Sequence, residues 1–286
     1  MNSEFKIFID LTRLNKPIGI MLLFWPCAWG LAYSYSLNNN LNQFLYYLLL
    51  FFLGSVLMRS AGCIVNDIVD KDFDKKVKRT KKRPLANKKI SVQRASIYSI
   101  VLCLFAFFIL IQFNKLTIFL GMASMLLAFS YPYMKRITYW PQLFLGLTFN
   151  WGIIMAYVAT TNNISGNILL LYLAAIFWTL GCDTIYGSQD IKDDEIIGLK
   201  SASIKFKNNL KIFVATSYFI ASLIIFFIFK DSFFKTYSMV FFIMFFLSLI
   251  YQLKKFDKLI PKSFLEAFKI NNLSGFFLFI GILLTN

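Results

Sequence analysis

Residues 59–85 read RSAGCIVNDIVDKDFDKKVKRTKKRPL, and they set Asn66, Asp70 and Asp74 at four-residue intervals directly after a long apolar run. Four-residue spacing on a helix stacks side chains on one face. Eight residues rising about 1.5 Å each make that row of oxygen ligands about 12 Å long. Asp67 and Asp72 stand beside it, and Arg59, seven residues before Asn66, falls on the same face two turns deeper. A basic run follows at once: Lys75, Lys76, Lys78, Arg79, Lys81, Lys82 and Arg83. Carboxylates beside cations at the end of an apolar helix suit a polyphosphate held through a hard divalent cation.

The rest of the chain explains where that stretch sits. Of 286 residues 58% are hydrophobic and 34 are Phe, too apolar for a soluble domain of this length. Runs of bilayer-spanning length recur throughout, and they predict an all-α polytopic membrane protein. Nine spans are expected, at about 17–36, 43–66, 92–113, 116–134, 140–160, 167–187, 210–229, 234–253 and 266–285. Residues 3–16 read as an interfacial helix with Phe5, Phe8 and Ile9 towards lipid. Pro26 is expected to kink the first span, and Pro132 and Pro141 to bracket the turn between the fourth and fifth. Ser263 and Glu266 have capping-box spacing for the last. No cleavable signal peptide is expected, because the first apolar segment is full-length.

A net charge of +16 would point to nucleic acid in a soluble chain. Here loop charge accounts for it, and no nucleic-acid partner is expected. With the N-terminus cytoplasmic, 26 of the 30 Lys and Arg fall on inside segments, and only Lys115, Lys230 and Lys235 fall outside. That bias predicts N-terminus in and C-terminus out. The absence of histidine excludes His-based acid–base chemistry and HExxH metal sites. Cys27, Cys63, Cys103 and Cys182 lie in apolar segments without CxxC spacing and read as packing residues.

Nine of the 14 acids fall in two short segments. The second, GCDTIYGSQDIKDDEIIGLKS at 181–201, again places Tyr186, Asp190 and Asp194 four apart, with Asp183 seven before Asp190. Both segments open on Gly-Cys, and an even number of crossings separates them, so both emerge on one membrane face. The expectation is a single unit over 1–286: a four-helix half at about 17–134, a second at about 140–253, and a final helix. If the halves face each other, the rows converge on one cytoplasm-facing cavity.

Asp67, Asp72, Asp193 and Glu195 read equally well as solvated loop acids. Asn66 and Asp183 do not, because polar groups at membrane depth are costly and tend to be functional. Arg59 reads as a ligand contact, its alternative being a cation snorkelling to the interface. Two carboxylate sets match a pair of Mg²⁺ ions clamping a diphosphate as a leaving group. Arg79, Arg83 and Lys200 are placed to add phosphate contacts. The Walker glycine pattern is absent, so the diphosphate need not be a nucleotide's.

These motifs resemble those of the UbiA-type intramembrane prenyltransferases. The NDxxDxxxD motif stands as Asn66, Asp67, Asp70 and Asp74, followed by RTxxRPL at 79–85. The YxxxDxxxD motif stands as Tyr186, Asp190 and Asp194, preceded by Asp183. The likeness covers most of the chain, including YPYMKRITYWPQLFLG at 131–146. It departs at Gly187-Ser188-Gln189, where apolar residues are expected after the tyrosine. The resemblance, strongest to the branch acting on 4-hydroxybenzoate in ubiquinone biosynthesis, implies a multi-pass enzyme of a bacterial inner membrane. It implies Mg²⁺ on Asn66, Asp70, Asp74, Asp190 and Asp194, with Asp70, Asp74, Asp183, Asp190 and Asp194 catalytic. It implies a polyprenyl diphosphate held near Arg59, Arg79, Arg83, Tyr186 and Lys200, and an aromatic acid near Arg136 and Asp183. Its tail would run into membrane lipid. Homogentisate, naphthoate and haem acceptors remain open. A secondary transporter would instead carry its acids near the bilayer midplane, and a head-group phosphotransferase would show an Asp-Gly…Ala-Arg pattern, which is absent.

Overall fold

Hydrocarbon offers the backbone no hydrogen bonds, so each long apolar run closes its own as a helix. The computed structural model describes residues 3–233, 237–257 and 260–285. Lys235, Lys258 and the expected start of the eighth span at 234 lie outside the described residues. In chain order the helices are α1 (Ser3–Thr12), α2 (Ile18–Asn38), α3 (Leu41–Asp74), α4 (Val92–Leu110), α5 (Lys115–Ile137), α6 (Pro141–Thr161) and α7 (Gly166–Gly187). Then come α8 (Ile191–Ile196), α9 (Ala202–Lys205), α10 (Leu210–Phe233), α11 (Ser238–Lys255), α12 (Pro261–Lys269) and α13 (Asn271–Leu283). Among the described residues, nine segments are long and apolar enough to cross a membrane, α12 and α13 together making the ninth.

Side-chain oxygens close several of the helix starts. Asn40, Ser91, Asn114, Ser165 and Ser201 each accept from the backbone N–H three residues on. α2 lies at the centre, packed along α6 and flanked by α3 and α13. α7 packs between α6 and α10, and α11 between α10 and α13. α4 leans on α3 and α5 on α6, while α4 and α5 touch each other little.

The α2–α6 crossing depends on Gly30. A Cβ there would lie 2.3 Å from the Ile153 carbonyl oxygen, so only the missing side chain lets the two backbones approach. Gly30→Val is expected to cost roughly 1–3 kcal/mol through overpacking, seen as a lower melting temperature in detergent. An unchanged melting temperature would show that the crossing tolerates bulk.

Three expectations are corrected. Pro132 does not end its helix: α5 runs through it to Ile137, and only Pro141 marks a boundary, as the first residue of α6. Of the three residues expected towards lipid only Phe5 is exposed; Phe8 and Ile9 are half-buried, Phe8 packing edge-on against Tyr98 at 5.4 Å. The capping box of the last span does not form. Ser263 reaches back to accept from the Asp257 N–H at 2.8 Å, and Glu266 pairs with Lys255 at 3.0 Å.

Candidate active site

A cavity of about 1640 Å³ opens among α2, α3, α4, α5, α6 and α7. Its polar end is lined by Asn66, Asp70 and Asp74 from α3 and by Asp183, Tyr186, Asp190 and Asp194 from the α7–α8 region. Its deep end is apolar, with Cys27, Phe51, Leu110, Phe113 and Met155 on its walls. On α4 and α5, Ile100, Leu104 and Met122 line the cavity and are exposed, and the two helices touch each other little. The cavity therefore opens sideways where those two helices fail to close on each other.

The first row is one continuous helical face, since α3 runs unbroken to Asp74. The second is not. α7 stops at Gly187, Asp190 follows a turn, and Asp194 begins again on α8. Gly187 is a poor helix former, and the Ser188 hydroxyl donates back to the Thr184 carbonyl at 2.7 Å, which favours termination. The break at Gly187-Ser188-Gln189 thus leaves Tyr186 on α7, Asp190 at the N-cap of α8 and Asp194 within α8.

The loop after α3 ties the two rows together. Arg79 Nε donates to Asp190 Oδ1 at 2.9 Å, and its Nη1 donates to the Tyr186 hydroxyl at 3.0 Å. Beside it, the Lys78 N–H donates to Asp193 at 2.9 Å, so Asp193 is a structural partner and not a free loop acid. Arg83 spans Asp74 at 2.8 Å and Asp67 at 3.0 Å. Asp70 is buried beneath Lys135 and Arg136.

Two residues expected in the site stand elsewhere. Arg136 donates to the Val69 carbonyl at 2.8 Å and lies over the Phe73 and Tyr133 rings, so it holds α5 to α3 and lines no part of the cavity. Lys200 donates to the Ile137 carbonyl at 3.2 Å and sits over Tyr139, pinning the end of α5. Arg59, by contrast, lies on the cavity wall over Phe149, in the room that Gly19 leaves for its guanidinium. Sequence reasoning overlooked Lys135, Tyr131 and Arg13, all of which line the cavity. The available signal was the four-residue spacing of Tyr131 and Lys135; both cations had been absorbed into the inside-loop charge.

The donor set fits Mg²⁺. It consists of hard oxygens, and the Asn66 side-chain amide meets the cavity with no hydrogen-bond partner among the described residues. Among the described residues no three acids gather closely enough to hold an ion by themselves. Mg²⁺ asks for less, taking one or two carboxylates and completing its shell with water and substrate phosphate. Asn66, Asp70 and Asp74 would serve one ion, Asp190 and Asp194 another.

Residues 23–279 match the UbiA prenyltransferase family. The chain belongs to that family. The mitochondrial 4-hydroxybenzoate polyprenyltransferase of Arabidopsis thaliana is 43% identical over 213 residues, 74% of this chain and 52% of that protein. The 4-hydroxybenzoate octaprenyltransferase of Nitrosococcus oceani is 44% identical over 206 residues, 72% of this chain and 71% of that protein. This UbiA family member thus aligns with about half the length of its mitochondrial relatives. Among solved structures, the UbiA homolog of Aeropyrum pernix K1 shares the fold with a TM-score of 0.77 at 23% identity, covering 92% of this chain and 96% of that one. A homolog from Archaeoglobus fulgidus, solved with GPP and Mg²⁺, superposes at 0.70 with 16% identity, covering 96% and 99%. At these identities the likeness is one of fold.

Proposed function

We propose that this family member transfers a polyprenyl group from polyprenyl diphosphate to the ring carbon ortho to the hydroxyl of 4-hydroxybenzoate. The observation that carries the reading is the meeting of both acidic segments, latched by Arg79, on one cavity whose remainder is apolar and open sideways. The names borne by its relatives support the same acceptor. The loop charges support an N-terminus in the cytoplasm, which puts the polar mouth on that side.

The diphosphate sits at the polar end, where Arg79 and Arg83 donate to its oxygens and Tyr186 orients Arg79. Bound Mg²⁺ supplies neutralisation of the leaving diphosphate. The allylic C–O bond breaks, and the prenyl cation forms beside Tyr131, Phe149 and neighbouring apolar walls that keep water out. The acceptor ring attacks through its ortho carbon and then loses its proton. Its hydroxyl is oriented by Asp183. The tail passes between α4 and α5 into lipid.

The acceptor's carboxylate pairs with Arg59, the one role that moves from Arg136. Arg59 lies on the cavity wall, as does Asp183. Arg59→Ala is expected to raise KM for the aromatic acid about tenfold or more, the worth of a charge-assisted hydrogen bond, with a smaller change for the diphosphate. Arg136→Ala, acting through Asp70, is expected to weaken use of both substrates alike. A selective loss of acid binding in Arg136→Ala would reverse the assignment.

The deciding experiment incubates membranes carrying this chain with a polyprenyl diphosphate and 4-hydroxybenzoate, homogentisate or a hydroxylated naphthoate, and weighs the products. A prenylated 4-hydroxybenzoate supports the proposal. Product from another acceptor alone overturns the acceptor, and no product from any overturns the reaction.

A further inference from the structure

Asp67 is the acid of the first motif that faces away from the cavity. It is 1% exposed, contributes nothing to the cavity wall, and carries two guanidiniums on one carboxylate oxygen, those of Arg13 and Arg83. Arg83 continues to Asp74, so four alternating charges form the chain Arg13–Asp67–Arg83–Asp74. Both arginines, unlike Asp67, do line the cavity.

The Arg13–Asp67 pair joins segments 54 residues apart, while Arg83 lies 16 residues from Asp67 and 9 from Asp74. Arg13 belongs to the arm between α1 and α2, Asp67 to α3, and Arg83 to the loop that follows. An apolar cluster beside it joins neighbouring elements: Leu11, Ile64, Leu85 and Ala95 come from the end of α1, α3, the loop and α4, and all are buried. Arg13 adopts φ 59°, a left-handed conformation that a residue with a Cβ takes at an energetic cost and keeps only when its surroundings hold it. Its carbonyl accepts the Lys16 N–H at 2.8 Å in the same turn, which directs the arm into α2. Two guanidiniums side by side at a cavity wall repel, and only the carboxylate between them lets both stay.

We propose that Asp67 is a positioning residue that seats Arg13 of the N-terminal arm, together with Arg83, at the polar end of the cavity, making the arm part of the diphosphate site. This rests on the diphosphate reading above for the ligand's chemistry. Without Asp67 the two arginines push apart. Arg83 keeps Asp74 as a partner, whereas among the described residues Arg13 has no second carboxylate bonded to it.

The test uses the full chain in detergent with Asp67→Asn, Asp67→Ala, Arg13→Ala, Arg13→Lys and the Asp67→Ala/Arg13→Ala double variant, each first shown to elute as folded protein. Both Asp67 variants and Arg13→Ala are expected to raise KM for the prenyl diphosphate about tenfold, with kcat within about threefold and Mg²⁺ half-saturation unchanged. Arg13→Lys should recover part of the loss, and the double variant should be no worse than Arg13→Ala alone, as for groups acting in series. Titration calorimetry with inorganic pyrophosphate and Mg²⁺ should show the same weakening without turnover. A shift in Mg²⁺ half-saturation would make Asp67 a metal ligand and overturn the inference. So would a fall in kcat with KM unchanged, or additive losses in the double variant. If the wild-type chain binds neither pyrophosphate nor prenyl diphosphate, the diphosphate reading itself fails, a result distinct from a variant matching wild type.

Discussion

Replacing Asp70 or Asp190 with alanine is expected to reduce turnover about a hundredfold to a thousandfold, the scale on which preorganised charge at a reacting group operates. The protein should still insert and elute as a folded species. Each acid is paired in the structure, Asp70 with Lys135 and Arg136, Asp190 with Arg79, so removing it leaves cations behind. A buried orphan cation would unfold a soluble core. Here Lys135 is 25% and Arg79 37% exposed, and both edge the cavity, where water can take over the lost partner. Asp72→Ala is the matching control, because that carboxylate is 68% exposed, lies off the cavity wall and, among the described residues, pairs only with Lys75. Unchanged turnover in either Asp70→Ala or Asp190→Ala would refute the metal assignment.

Dialysis against EDTA is expected to abolish turnover, and added Mg²⁺ to restore it. The acidity of the medium should modulate that restoration. Burial pushes the Asp194 carboxyl up to about 6, with the charge of Asp190 adding to the effect and Lys135 and Arg79 opposing it. A protonated carboxyl is no ligand. As the pH falls through 6, the Mg²⁺ concentration for half-maximal activity should therefore rise, approaching about tenfold per pH unit. Asp194→Asn should weaken Mg²⁺ use at neutral pH and flatten that dependence. Tighter Mg²⁺ use at low pH, or activity untouched by EDTA, would contradict the proposal.

The helices were legible because lipid reduces the backbone's choices to one, and because an 18-residue apolar window is a local property. The row on α3 was legible for the same reason: Asn66, Asp70 and Asp74 sit on uninterrupted helix, where spacing dictates the face. The second row looked equivalent and was not, since Gly187 and Ser188 end α7 within it. Pro132 misled in the other direction. Inside α5 its missing donor is tolerated by the surrounding helix, so it reads as a stop and behaves as an interior residue.

What the chain decides by itself is the set of membrane helices and the presence of two oxygen-rich segments at helix ends, because both follow from contacts within a few residues. Which cations reach those oxygens is decided only by tertiary packing. Arg59 lies mid-helix in α3 and Arg136 in the last turn of α5, yet the first faces the cavity and the second clasps α3. Arg13 finds Asp67 across 54 residues of chain. A long flexible side chain takes its direction from whichever carboxylate the packed helices bring within reach, and no local pattern records that choice.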